Sequence, residues 1–305
     1  MKKEQYDLVI VIPVGLNCKV EYISDTIDSI KHYCLCPHKI ILYDDSQKKT
    51  GEIIKSKYSD VDILRSKKRH GLWGGLYISL SLAFKYAIDT YSFKVLMRMD
   101  TDALITGFNP QVDAIELFEK QPEIGIAGLI RSGLKPKDSF DNVIDNWWPR
   151  MQILTYAFTW RWIRRPVANR TMRKYAIQAF KNGYEIGENI FGGAYFVSEC
   201  FLKSLDQYGL LPKFSLRAVR IEEDHIFSML AKAIGFEFGD LESGGLPLGV
   251  AWRGLPASPE AILRHNKKII HSTRYWDNLK EPEIRAFFKQ ARNADTLNLK
   301  STHED

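Results

Sequence analysis

Phe93-Lys-Val-Leu-Met-Arg-Met-Asp-Thr-Asp-Ala103 is the stretch on which the fold turns. It reads as a strand of mostly apolar residues that ends in two carboxylates one residue apart, Asp100 and Asp102. In an open α/β sheet, ligands sit outside the carboxyl ends of the strands. An acidic pair placed there offers oxygen donors to a divalent cation carrying a diphosphate. Asp-x-Asp in a surface loop is commonplace, so the weight falls on the strand before it and on its partners along the chain.

On the N-terminal side, Tyr6-Asp-Leu-Val-Ile-Val-Ile-Pro13 is a β-branched run closed by proline, as expected of a buried parallel strand. Ile23, Ile27 and Ile30 lie at helical spacing within Tyr22 to Tyr33, and Lys39-Ile-Ile-Leu-Tyr-Asp-Asp45 is a second strand ending in paired acids. Thr50 to Tyr58 reads as a helix and Val61 to Arg65 as a third strand, followed by the basic, glycine-bearing loop Lys67 to Gly75. Leu76, Leu80, Ala83, Phe84 and Ala87 then trace the core face of a helix leading into the Asp100/Asp102 strand. Strands alternating with helices of this length predict βαβ units and a mostly parallel sheet flanked by helices.

On the C-terminal side, Ile124 to Ile130 is another buried strand, after which the rhythm breaks. Between Asn146 and Tyr184 stand eight Lys or Arg, no Asp or Glu, and the tryptophans 147, 148, 160 and 162. Removing this stretch lowers the basic count from 43 to 35 against 37 acids, so the net charge of +6 belongs to one segment. Asn189-Ile-Phe-Gly-Gly-Ala-Tyr-Phe-Val-Ser198 reads as a strand carrying a double glycine. Ile221 to Gly235 reads as a helix with acids in its first turn and a glycine cap. A Gly/Pro-rich tail, the apolar Lys267 to His271, and an amphipathic Pro282 to Ala291 complete the chain.

At 305 residues, 45% hydrophobic and 26% charged, the composition is that of an ordinary soluble protein with a sizeable core. An apolar run of about 18 residues, needed for a membrane span, is missing, as is the apolar core of a signal peptide. Four cysteines without a disulfide spacing fit reduced thiols, and the expected location is cytoplasmic.

Three acidic clusters stand where one fold could gather them. Asp44 or Asp45 could accept from a nucleobase N–H or a ribose hydroxyl. Asp100 and Asp102 could hold Mg2+ or Mn2+ against a diphosphate. Asp224, beside Glu222 and Glu223, could take the proton of an acceptor hydroxyl. The bland alternatives are strand-end acids capping a turn, and acids complementing a helix dipole. Gly192-Gly193 marks either a tight backbone approach or space for an acceptor, and His70 and Arg69 beside Gly71 are diphosphate contacts or solvated charge. The Trp/Arg stretch has three readings: a peripheral contact with the inner membrane face, single-stranded nucleic acid (the least favoured), or a helical subdomain with its own aromatic core.

With these residues in view, the sequence resembles GT-A glycosyltransferases, particularly family 2. Leu8 to Pro13, Tyr43-Asp-Asp-Ser46 and Asp100-Thr-Asp102 look like the nucleotide-sugar half, and Phe191 to Val197 with Glu223-Asp224 like the acceptor half, across roughly residues 6 to 240. The resemblance implies a metal-dependent, inverting, non-processive transfer from a nucleoside-diphosphate sugar, a UDP-sugar being favoured, to a glycan or lipid-linked acceptor. It implies Pro13, Asp44, Asp45, His70, Gly71 and Asp100 on the donor, and Asp100, Asp102 and the late His271 on the metal. Gly192 and Gly193 then face the acceptor, with Asp224 and Glu223 catalytic. The implied divisions are 1–130 for the donor half, 131–188 for a Trp/Arg-rich helical insertion, 189–240 for the acceptor half, and 241–305 for a C-terminal extension.

The chain departs from the pattern in Ser46-Gln47, where a glycine usually follows the paired acids, and it lacks the Gln-x-x-Arg-Trp element and membrane helices of processive synthases. Two rivals stay open. A sugar nucleotidyltransferase would carry a Gly-rich basic loop after the first strand, where Val14-Gly-Leu-Asn-Cys18 stands here. A catalytically silent surface-binding protein would use only the Trp/Arg segment.

Overall fold

The computed structural model describes residues 3–133, 136–144, 147–159 and 165–301, the side chains of 147–149 and 297–301 apart. The first half is a run of β and α units: β1 (Glu4–Val14), α1 (Val20–Tyr33), β2 (His38–Asp44), α2 (Thr50–Lys57), β3 (Asp62–Arg65), α3 (Gly74–Thr90) and β4 (Tyr91–Met99). There follow β5 (Ala103–Ile105), α4 (Val112–Lys120), β6 (Ile124–Gly128) and β7 (Ile130–Arg131). Strands β1 to β4 pair in parallel, with β1 between β2 and β4 and β3 beyond β2. Successive side chains of a strand point to opposite faces, and β1 shows it: Leu8, Ile10 and Ile12 pack into one apolar layer, Val9 and Val11 into the other. Helices on both faces cover these layers, which is why the strands are apolar at almost every position.

The basic stretch holds α5 (Trp147–Phe158) and α6 (Pro166–Lys181). Ile153, Tyr156, Met172, Tyr175 and Ala179 of these helices join the same apolar layer as Val9 and Val11. The described part of the stretch therefore belongs to the main core. Its tryptophans at 147, 148, 160 and 162 lie outside the described side chains.

Then come β8 (Asn189–Ile190), β9 (Ala194–Ser198), α7 (Glu199–Gln207), α8 (Glu223–Ala233) and β10 (Glu237–Asp240). The continuous strand expected over 189–198 is two strands in two sheets. Gly193 has φ of +94°, which breaks the extended backbone, so β8 pairs with β7 while β9 enters the main sheet. The main sheet has seven strands in the order β10-β6-β9-β4-β1-β2-β3, with β9 antiparallel to both neighbours. Gly235 sits just past α8 with φ of +90°, the left-handed position expected of a helix-ending glycine.

The remaining elements are β11 (Leu248–Val250), α9 (Pro259–Arg264), β12 (Ile269–His271), β13 (Tyr275–Trp276), β14 (Leu279–Lys280) and α10 (Glu281–Ser301). β12 lies between β11 and β5 in a small sheet, in a register that sets His271 opposite Ala103. Helix α10 returns to the first half: Arg285 and Arg292 meet Asp25 of α1 at 3.0 and 2.7 Å, and Arg285 donates to the carbonyl of Thr101 at 2.8 Å. Among the described residues no helix is long and apolar enough to cross a membrane.

Candidate active site

β4 ends at Met99, so Asp100 and Asp102 fall at the carboxyl rim of the parallel sheet. The pairing of β12 with β5 brings His271 to them: Nε2 lies 3.6 Å from Asp100 Oδ2 and 3.5 Å from Asp102 Oδ1. The three donor atoms are within 4.8 Å of one another, a spacing that can hold one cation. His271 Nδ1 is 2.8 Å from the carbonyl of Ala251, a contact that requires Nδ1 to carry the proton. The neutral ring then points the Nε2 lone pair at two carboxylates, an arrangement that needs a cation or a proton between them. Histidines that bind metals commonly donate their other N–H in this way. Burial opposes charge on His271, but Asp102 and Asp100 outweigh it and raise its pKa. Burial likewise pushes Asp102 up, and His271 with Arg274 overrides it, holding the carboxyl well below the usual range. Arg274 Nε stands 2.7 Å from Asp102 Oδ2, an oxygen with no hydrogen-bond partner beyond that ion pair. Two carboxylates and an imidazole are a mixed oxygen and nitrogen donor set, better suited to Mn2+ than to Mg2+, which favours oxygen ligands alone.

A cleft of about 750 Å³ opens beside this group, lined by Pro13, Tyr43, Asp45, Gly71, Asp100 and Asp102 among others. Asp45 and Asp44 part company here, as neighbours at the end of a strand must. Asp44 is 1% exposed and turned inward: Oδ1 accepts from the backbone N–H of Ser46 at 2.9 Å, and Oδ2 from that of Gly51 at 2.9 Å. It organises the turn into α2 and does not line the cleft. Asp45 does line it, with its carboxylate accepting the backbone N–H of both His70 and Gly71 at 2.8 Å. The His70 ring stacks 6.2 Å from that of Tyr43. His70 and Gly71 thus act first as a brace for Asp45.

The acids at the start of α8 reach the same end of β4 through Arg98. Arg98, 1% exposed, links the two groups, with Nη2 2.9 Å from Asp100 Oδ1 and 2.7 Å from Glu223 Oε1. Asp224 is held by three N–H donors: Gly192 at 2.9 Å, Asn189 Nδ2 at 3.1 Å and its neighbour His225 at 2.9 Å. Burial and then Asp224 push Glu222 up to about 7. Burial raises Glu223 to about 8 against the pull of Arg98. The 2.7 Å contact with Arg98 favours the ionised form of Glu223, while burial and the neighbouring acids favour the protonated form of both Glu222 and Glu223.

The double glycine runs between both groups. A Cβ on Gly192 would come 3.1 Å from Asp224 Oδ2, and one on Gly193 would come 2.3 Å from His271 Nδ1. The carbonyl of Gly193 also accepts the N–H of Asp100 at 2.8 Å. The glycines are explained by this close approach, their Cβ space being taken by Asp224 and His271. A second set, Glu222, Asp224 and His225, also brings donor atoms within 4.8 Å. There Arg131 Nη2 lies 3.0 Å from His225 Nε2, placing a fixed positive charge where a cation would sit.

Sequence reasoning missed Arg98, Arg274, and the cleft wall formed by Thr101, Lys280 and Glu281. Arg98 had a signal, an arginine inside an otherwise apolar strand, since such a residue is almost never fully buried without a partner.

The chain is thus an α/β protein whose sheet rim carries a candidate divalent-cation site beside a cleft. No protein-family model matches the sequence, and no curated protein matches it. Among solved structures it is similar to the mannosyltransferase PcManGT from Pyrobaculum calidifontis in complex with GDP-Man and Mn2+. The identity is 12% and the TM-score 0.44, over 77% of this chain and 55% of that one. It is similar also to residues 1–349 of S. aureus TarS, at 14% identity and a TM-score of 0.44, over 94% and 72% of the two chains. The same TarS segment in complex with UDP gives 14% identity and 0.43, over 92% and 70%. The chain spans little more than half the length of the mannosyltransferase.

Proposed function

We propose that the protein is a glycosyltransferase that moves a sugar from a nucleoside-diphosphate donor to an acceptor hydroxyl with inversion. The observation that carries this reading is the meeting of Asp100, Asp102 and His271 beside a cleft of about 750 Å³ that Asp100 and Asp102 line, with Asp224 just across the double glycine. In the proposed reaction the acceptor hydroxyl gives its proton to Asp224 as its oxygen attacks the anomeric carbon. The bond from that carbon to the diphosphate breaks, its electron pair leaving with the diphosphate. A divalent cation held by Asp100, Asp102 and His271 would supply charge neutralisation on the departing diphosphate.

The residues of the chain do the rest. Asp45, braced by the backbone of His70 and Gly71, is positioned for the nucleoside, and Tyr43 offers an aromatic edge beside it. Three N–H donors keep Asp224 in one orientation, so that a lone pair remains available for the acceptor proton. Arg98 holds the two carboxylate groups in fixed register. Arg274, ion-paired with Asp102 and lining the cleft, would add positive charge beside the diphosphate. The packing of the described residues at 150–181 into the main core supports a structural role for the basic stretch, as part of the main core and not as a subdomain with its own, over a membrane or nucleic-acid arm.

The test is sugar-nucleotide consumption by the whole chain with UDP-, GDP- and dTDP-sugars, with Mn2+ and with chelator. One donor should be turned over in a metal-dependent way, and Asp102→Asn should lower that rate by about a hundredfold or more while the melting temperature holds. Turnover by Asp102→Asn equal to the parent's would remove the metal role.

A further inference from the structure

A second cavity, of about 870 Å³, adjoins the donor cleft and shares Arg69, Gly71 and Leu72 with it. Among the described residues four arginines line it, Arg69, Arg165, Arg217 and Arg220, and no carboxylate does. Among the described residues none of the four guanidinium groups is paired with an acid. What holds them is backbone and ring: Arg217 Nη2 donates to the carbonyl of Arg69 at 3.1 Å, Arg165 donates to the carbonyl of Ala218, and Arg220 lies 5.6 Å from the Trp73 ring. Four like charges converging on one concavity repel one another, and a cleft of one sign concentrates ions of the other.

The wall is built for rigidity. Trp73 has φ of +57°, a conformation that a bulky residue adopts only under constraint. The next residue explains it: Gly74 donates to the carbonyl of Val219 at 3.0 Å, and a Cβ there would come 2.2 Å from the carbonyl of Leu216. The loop is thereby clamped to the turn that carries Arg217 and Arg220. It leaves the rings of Trp73 and Phe214 exposed beside the charges, at 41% and 61%.

The position of the cavity says which substrate it serves. Its wall ends at Arg220, two to four residues before Glu222, Glu223 and Asp224, whereas Asp100 and Asp102 line the other cleft. We infer that the cavity binds a phosphate group of the acceptor, so that the sugar is transferred to a hydroxyl on a phosphate-bearing molecule. Guanidinium forks match phosphate oxygens two at a time, and the exposed rings suit the sugar or polyol beside the phosphate. This assignment rests on the glycosyltransferase reading. The same phosphate chemistry is offered by a soluble phosphorylated sugar or polyol and by a lipid-linked phosphate.

The experiment uses the whole chain, first alone and then saturated with UDP and Mn2+, titrated with glycerol 3-phosphate and with phosphatidylcholine vesicles with or without phosphatidic acid. Glycerol 3-phosphate should bind with the nucleotide already in place. Arg217→Gln with Arg220→Gln should weaken it by about tenfold or more, the loss expected of a charged hydrogen bond, at unchanged affinity for UDP with Mn2+. Arg217→Lys should recover only part, since charge without the fork is restored. Binding to phosphatidic-acid vesicles alone, lost in the double variant, would support the phosphate site and assign it to a lipid-linked acceptor. Displacement of glycerol 3-phosphate by UDP would overturn the inference and give the cavity to the donor's diphosphate. Equal binding by parent and well-folded variants would overturn it as well, leaving the donor reading intact. Absence of binding by UDP, GDP and dTDP alike, each tried with Mn2+, would remove the glycosyltransferase reading itself, and the acceptor role with it.

Discussion

At the scale of single residues, the candidate site is a set of contacts with little slack. Gly193 is the sharpest case, because its φ of +94° and the His271 ring both exclude a side chain. Gly193→Ala should cost about 2–4 kcal/mol, the sum of a strained backbone and a displaced ring, read as a lower urea midpoint, and should weaken Mn2+ binding through His271. Stability unchanged by that substitution would contradict the placement of the ring. His271 also sets a pH dependence. Its raised pKa means that bound protons compete with a cation, so Mn2+ affinity should fall as pH is lowered through the imidazole range, and His271→Ala should abolish that slope. Some of this was legible beforehand. Asp100 and Asp102 stand out because an apolar run ends on them. The separation of Asp44 from Asp45 was readable in principle, since in a strand alternating residues share a face and Asp45 goes with Tyr43. Arg98 was hidden inside the very run that signalled the strand, its partners lying on α8 far along the chain.

At the scale of elements, β4 is the organiser. It carries Arg98 in its interior and the metal-candidate acids at its end, so one strand sets the distance between the two halves of the site. Removing the buried guanidinium leaves Glu223 and Asp100 uncompensated. Arg98→Met should therefore cost about 3–5 kcal/mol, and Arg98→Met with Glu223→Gln should recover part of it, as a double-mutant cycle would measure. Additive losses in that cycle would mean that the pair is not coupled. The elements themselves were the most readable part of the chain. α1, β2 and β4 announced themselves by apolar periodicity. What periodicity does not show is pairing between distant segments. The register of β12 on β5, which delivers His271 to Asp102, has no local mark, nor does the switch of the chain from one sheet to another at Gly193.

At the scale of the whole molecule, the crowding of carboxylates should appear in the pH dependence of stability. Glu222 is lifted from an ordinary 4.5 to about 7, so the folded state keeps a proton that the unfolded chain releases above about 4.5. The associated stability is complete below that value and is lost as pH rises through 7. The raised His271 acts with the same sign. In chelator, the urea midpoint should fall from pH 5 to pH 8, and Glu222→Gln should flatten part of that decline. A midpoint rising over the same range would show that other groups dominate. The distribution of charge is also a property of the whole. The acid-free segment was plain in the sequence, yet its purpose was not, because Arg165 meets Arg69, Arg217 and Arg220 only once the chain is folded.

The central claim is that Asp100, Asp102 and His271 form a cation site that holds a nucleoside diphosphate in the adjoining cleft. It is tested most directly by calorimetric titration of UDP and GDP into the whole chain, with Mn2+ and with chelator, alongside Asp102→Asn. One nucleotide should bind with Mn2+ present, lose its affinity in chelator, and lose it again in the well-folded Asp102→Asn. Nucleotide binding that is indifferent to Mn2+ and to Asp102, or no binding of either nucleotide under any condition, would contradict the claim.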